Sequence, residues 1–464
     1  MPISLEAAVA AGGSGRHSSL SPAEVMEAAR AREASLSRLL MAYISSGLVF
    51  MLLPGTFLGV WNLLQISGRE SVASVSPAWL QAHGHAQVFG WIGSFILGIG
   101  FYSIPKALGA TKPAIGAAWT CWAMWTIGVT TRWAANVYRW QWRLLLPFSG
   151  LLELAAFLIF FKMVSKHRPE NYGKGRLDPW IWVVVSASIG FLLSLLANLV
   201  GTIYLALRGA SPALPHLLDQ RFLVLVVWGF LVPFVWGFSA KWITVFLGLK
   251  PIRPRLLLSA LVVNFAGVVL TLAGWGTEAT VLFVAGSGLA IAALRIFETA
   301  RHEAKTRGVH RSLPYFVRMA YGWLLVAALL GVAAAHWDSS GGIWGASRHA
   351  LTVGFIAVMV FCVGQRVLPA FAGMRLLWSP RLMFAGLVLL TTGCTLRVSS
   401  EVLAYQGYAD WAWPVLSVSA LFELAGVTAF AMNIFGTFIL EPSHVQKQPL
   451  VVGIDRPSAL NHIP

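Results

Sequence analysis

Twelve apolar stretches, each about as long as a helix needs to cross a bilayer, run through this sequence with short polar connections between them. A spanning helix takes roughly 20 such residues, and it must be a helix because lipid offers no partner to a free peptide group. On that criterion spans fall near residues 39–64, 84–104, 113–131, 144–161, 180–206, 222–247, 256–275, 279–297, 314–336, 348–369, 381–398 and 412–440. The pattern predicts an all-α, polytopic membrane protein of about 12 transmembrane helices. A chain that is 57% hydrophobic and 11% charged, with mean hydropathy +0.71, is excluded from the soluble globular class. Its net charge of +16 would suggest nucleic acid in a soluble protein. Here it reads as basic loops on the cytoplasmic side, with the lipid bilayer as partner and no nucleic acid.

Lysine and arginine resist transfer across the membrane, so their positions set the topology. With a cytoplasmic N-terminus, only Arg69, Arg132, Arg139, Arg143, Arg208, Arg221, Arg348 and Arg397 of the 34 basic residues fall on the opposite side. Both termini are therefore expected to be cytoplasmic. No signal peptide is visible in the first residues, and the first apolar helix is expected to serve as the insertion signal. Residues 1–38 read as a cytoplasmic segment with an amphipathic helix, opened by a capping box of Ser21 and Glu24 with Pro22 at the first helical position. Residues 39–440 form the membrane domain and 441–464 a cytoplasmic tail. Cys121, Cys362 and Cys394 are isolated within apolar runs and read as packing residues, with neither disulfide nor CxxC spacing.

Three segments align without gaps on a shared Gly-aromatic step: HAQVFGWIGSFILGIGFYSIP from His85, VLVVWGFLVPFVWGFSAKWIT from Val224, and HALTVGFIAVMVFCVGQRVLP from His349. Gly90–Trp91, Gly229–Phe230 and Gly354–Phe355 occupy equivalent positions in spans 2, 6 and 10. Spacing by four spans implies three pseudo-repeated four-helix units. A six-plus-six inverted plan would instead pair spans 1 and 7, where no match is found.

Histidines fall at the outer ends of two repeat-equivalent spans, His83 and His85 in span 2 and His349 in span 10. Neutral imidazole is a strong ligand for haem iron, and two helices that present one each across the macrocycle give six-coordinate, low-spin iron. A single intramembrane histidine is ordinarily a hydrogen-bonding residue between helices. The repeat match makes His85 and His349 the axial candidates, with His83 pointing elsewhere on its helix. Arg132, Arg139, Arg143 and Arg348 offer cations for haem propionates, interleaved with Trp133, Trp140 and Trp142, which also suit an interfacial aromatic belt. Gln87 is placed to orient His83 or His85, or to glue helices together. Glu153 and Glu423 are intramembrane carboxylates, and His83, His216 and His336 could supply nitrogen ligands to a copper ion.

The segments HGHAQVFGWIGSFILGIGFYSIPKALG, YFVRMAYGWLLVAALLGV and RHALTVGFIAVMVFCVGQRVLP resemble the NnrS family, bacterial inner-membrane proteins of about twelve spans that contain haem and copper and are associated with nitric oxide metabolism. The resemblance implies b-type haem, copper as a further cofactor, nitric oxide as a partner, and a role in denitrification or the response to nitrosative stress. More distantly the pattern is similar to subunit I of haem-copper oxidases, also twelve spans in a pseudo-threefold arrangement, with low-spin haem ligated from spans 2 and 10. That likeness supports His85 and His349 as axial ligands. The chain departs from both. Where the NnrS pattern HAHE carries glutamate, this chain has Ala86 and Gln87. Where an oxidase carries copper-ligating histidines, span 6 has Trp228, Phe234 and Lys241, span 7 has no histidine, and Ser347 and Leu351 flank His349. Dioxygen reduction at a binuclear centre is therefore not expected. Two other classes fit the composition: a secondary transporter using Glu153, Glu423 and Lys241 as relay groups, and an accessory protein for haem or copper insertion into respiratory oxidases.

Overall fold

In a computed structural model, which describes residues 21–107, 115–166, 178–373 and 376–440, the chain is helical throughout. Twelve long helices are present among these residues: α1 (22–69), α2 (77–107), α3 (Ile115–Tyr138), α4 (Trp142–Lys166), α5 (Pro179–Arg208), α6 (His216–Phe246), α7 (Pro254–Ala273), α8 (Gly276–Leu294), α9 (Leu313–Trp337), α10 (Gly342–Phe371), α11 (Pro380–Tyr405) and α12 (Ala412–Ile439). Eleven are long and apolar enough to cross a membrane. The twelfth, α3, interleaves Thr130, Thr131, Arg132 and Asn136 with its apolar residues and packs along α4.

The capping box forms as read: Ser21 N–H donates to Glu24 Oε2 at 2.6 Å and Glu24 N–H to Ser21 Oγ at 3.3 Å. These bonds hold the exposed Glu24 carboxyl below its ordinary pKa. The helix it opens does not stop at the membrane surface as a separate element. It continues into the first span without a break, because no proline or glycine interrupts the stretch from 23 to 46. Other helices also begin before their apolar windows. Proline at the first helical position starts α2 at Pro77, while α10 starts at Gly342 after Gly341 in left-handed conformation. His83 and His349 consequently lie about two turns inside their helices.

The repeat has a structural signature. The Gly-aromatic steps of α2, α6 and α10 each sit in a π-helical stretch, Ala86–Gly93, Val227–Leu231 and Ala350–Ala357. A π turn hydrogen-bonds i to i+5 and leaves carbonyls poorly paired inside the helix. Side chains from the following helix reach some of them. Trp125 Nε1 of α3 donates to the Phe89 carbonyl at 3.1 Å, and Asn264 Nδ2 of α7 donates to the equivalent Trp228 carbonyl at 2.7 Å. In the third unit Cys394 Sγ of α11 lies 3.9 Å from the His349 carbonyl.

The third and fourth helices of each unit repeat a second contact. A Cβ on Gly128 would lie 2.9 Å from Glu153 Cγ and 3.2 Å from the Ser149 carbonyl. On Gly267 it would meet Phe283 at 2.8 Å and the Ala279 carbonyl at 3.3 Å, and on Gly393, Glu423 at 2.7 Å and the Ser419 carbonyl at 3.0 Å. The three units are thus direct repeats: Glu153, Phe283 and Glu423 are equivalent, as are His85, Val224 and His349.

Candidate functional site

His83 leans from α2 against α1. Its Nδ1 lies 2.9 Å from the Gly55 carbonyl, so Nδ1–H donates there and Nε2 is left without a hydrogen bond among the described residues. The ring fits because Gly59 has no side chain, a Cβ at that position falling 2.5 Å from His83 Cε1. Gln87 orients neither histidine. Its amide donates to Thr56 Oγ1 at 2.9 Å and the Met51 carbonyl at 3.4 Å, binding α2 to the π-helical stretch Met51–Phe57 of α1.

His349 is held more firmly. Its Nδ1 lies 2.9 Å from the Gly345 carbonyl and 3.0 Å from Glu401 Oε2 on α11, and its Nε2 also carries no hydrogen bond among the described residues. Arg397, one turn before Glu401, lies with Nε 3.2 Å from the same carboxylate oxygen and Nη2 3.4 Å from the other. Gly345 is required here, since a Cβ would run into Glu401 Oε1. His83, His349 and Arg397 are within mutual electrostatic range, and Glu423 of α12 is in range of His349, Arg397 and Glu401. Four buried polar atoms at this point make no hydrogen bond among the described residues: Arg397 Nε and Glu401 Oε2, which meet only as an ion pair, and Arg397 Nη1 and Glu423 Oε1.

His85 faces the other way. Its Nε2 lies 2.9 Å from Glu153 Oε1, whose second oxygen accepts from Asn198 Nδ2 of α5 at 3.3 Å. Glu153 is fully buried and His85 and Asn198 nearly so. The His85 ring stacks on Phe89 with centroids 4.6 Å apart, and Phe89 stacks in turn on Phe222 at 6.4 Å. Arg132 of α3 is buried beside them, in electrostatic range of Glu153 and Asp219, with Nε and Nη1 unpartnered among the described residues.

The remaining predicted residues divide. Arg348 is half-buried and within range of Asp219 and Glu401. Arg139 is exposed, in left-handed conformation, and donates to Ser76 Oγ at 2.9 Å; Arg143 donates to the Gly209 carbonyl at 3.4 Å and covers Trp142. Lys241 covers the Trp180 ring at 4.9 Å and joins neither glutamate. The copper reading of His83, His216 and His336 is not carried by the geometry. His216 and His336 are exposed on different helices, the latter with Nδ1 on the Val332 carbonyl, and no group of three or more His, Cys, Asp or Glu suited to a metal ion occurs among the described residues. Three residues of the site escaped sequence reading: Asn198, Glu401 and the inward role of Arg397. An Arg-Glu pair at i,i+4 within an apolar stretch was the available signal for the last two.

Comparison with known proteins bears on the fold. A family described as Domain of unknown function (DUF8744) matches residues 223–433. No curated protein matches the sequence significantly. Among solved structures the chain is similar to a haem-copper terminal oxidase determined by cryo-EM as a dimer, with TM-score 0.56 and 11% identity over 88% of this chain and 85% of that one. The protein is a polytopic membrane protein with the fold of haem-copper oxidase subunit I.

Proposed function

We propose that this chain holds one b-type haem between α2 and α10, with His349 and His83 as its axial ligands, and that it is a protein of the NnrS type acting on or responding to nitric oxide in a bacterial inner membrane. The observation that carries the reading is the shared state of the two rings: each commits Nδ1 to a main-chain carbonyl and keeps Nε2 free. Metal-bound histidines commonly anchor the second nitrogen in this way. His85, the candidate favoured by the repeat, instead spends its Nε2 on Glu153. The residues around the pair fit a haem. The unpartnered Nη1 of Arg397, with half-buried Arg348, suits propionate carboxylates.

Bound there, the haem would supply one-electron chemistry and affinity for diatomic gases. The chain's own part is to position two imidazoles, to accept their Nδ1–H groups on the Gly55 and Gly345 carbonyls, and to balance Glu401 with Arg397. The resemblance of the span 2 and span 10 segments to NnrS supports the nitric oxide assignment, and the distribution of Lys and Arg supports cytoplasmic termini.

The test is a pyridine haemochrome assay and a reduced-minus-oxidised spectrum of detergent-purified protein expressed with ample haem. The expected result is a low-spin b-type spectrum that His349→Ala abolishes. Protein that is folded and free of haem would end the proposal.

A further inference from the structure

The two proposed ligands are not equally held. His349 is gripped by the Gly345 carbonyl of its own helix and flanked by the Glu401 carboxylate, itself fixed by Arg397. A carboxylate beside Nδ1–H draws the proton toward itself and makes the opposite nitrogen a stronger donor to a metal. His83 has one neutral partner, the Gly55 carbonyl, on another helix. That carbonyl belongs to the π-helical stretch Met51–Phe57, which contains Pro54 and so lacks one backbone donor. Gly59, one turn after Gly55, leaves the ring no side chain to lean on at that point. On its other side the same stretch borders an apolar recess of about 530 Å³ walled by Phe50, Leu53, Pro54, Phe57 and Leu58, and toward α2 it is tied only by the His83–Gly55 bond and the Gln87 amide on Thr56 and Met51.

We infer that His83 is the exchangeable axial ligand and His349 the permanent one, so that a small uncharged diatomic molecule reaches the iron on the α1 side. This rests on the haem reading above. The exchange would be a ligand substitution with no change of oxidation state: the bond from iron to His83 Nε2 would break, the bond from iron to the diatomic would form, and the proton would stay on His83 Nδ1, donated to the Gly55 carbonyl. The incoming ligand is an uncharged one because the recess and the α1 face carry apolar side chains where an anion would be desolvated at high cost.

Carbon monoxide serves as probe on the purified, haem-loaded protein reduced with dithionite, with haem content, spin state and binding rate as readouts. His83→Gly is expected to keep haem in a high-spin form, to bind carbon monoxide about 10-fold faster or more, and to regain the low-spin spectrum when free imidazole is added. His349→Gly is expected to lose haem. His83→Leu, which retains bulk against α1 and has no donor atom, is expected to keep haem and bind the probe faster than the parent should the glycine variant fail to fold. Equal loss of haem from the His83 and His349 variants, or loss from the His83 variants alone, overturns the inference while the parent spectrum leaves the haem reading standing. A low-spin spectrum that survives in His83→Gly and is lost in His85→Ala also overturns it. Absence of haem from the parent protein would instead refute the haem reading itself.

Discussion

Among the differences between the first and second four-helix units, two are coupled: His85 stands where Val224 does, and Glu153 where Phe283 does. The pair is kept together in unit 1, as a buried contact of 2.9 Å, and replaced together in unit 2 by apolar residues. A buried ionisable pair costs desolvation that its mutual attraction only partly offsets, whereas removing one partner strands the other in a medium that cannot solvate it. The prediction is a non-additive double-mutant cycle. His85→Val and Glu153→Leu are each expected to lower stability in detergent by about 3 kcal/mol, and the double variant to lose much less than the two together. Thermal unfolding of the four proteins measures it, and additive losses would mean that the two side chains act independently. The double variant is also expected to retain its haem, since neither residue is an axial ligand in the reading above.

At the scale of elements, close helix contacts are made through glycines, and their tolerance of a methyl group follows from what each faces. Gly190 of α5 meets the Gly229 carbonyl inside the π-helical stretch of α6, a backbone atom that cannot rotate away. Gly190→Ala should therefore destabilise by about 1–3 kcal/mol, while Gly288→Ala on α8, with nothing within 4 Å, should be neutral or gain up to about 1 kcal/mol from its helix propensity. Melting temperatures of the two variants in one detergent compare them directly, and equal shifts would refute the packing argument. The Gly-aromatic steps were legible in the sequence because the segments of α2, α6 and α10 align without gaps. The equivalence of Glu153, Phe283 and Glu423 was not, because the connections between the third and fourth helices of the units differ in length and shift their spacing. The choice between His83 and His85 was also hidden. Residues two apart on a helix face apart, and only the packing of α1 and α4 decides which ring meets which neighbour. Glu401 was missed for a simpler reason: a carboxylate near the end of an apolar stretch reads as interfacial, and the helix in fact continues to Tyr405.

For the whole molecule, three direct repeats create three interfaces between units, and the histidines populate them unevenly. The interface of α10 with α2 brings together His349 and His83. In that of α2 with α6 the same positions are His85 and Phe222, with Phe222 stacked on Phe89 and Phe191 tilted against it. In that of α6 with α10 they are Val224 and Ser347. Haem content is accordingly expected to saturate at one per chain, as measured by haemochrome absorbance against amino-acid analysis; a value of two would require a site at another interface. The π-helical stretches add a property of a different kind. Each is the wide turn a helix makes when it carries one residue too many, and it absorbs that residue without turning the α-helical parts on either side. Deleting one residue within Ala350–Ala357 is therefore expected to restore plain α geometry with His349 still facing α11, whereas deleting one within the α-helical Val358–Phe371 would turn the part before it by about 100°. The three wide turns are thus slack built into the spans, the points at which a lineage can gain or lose a residue without losing the facing of what lies beyond.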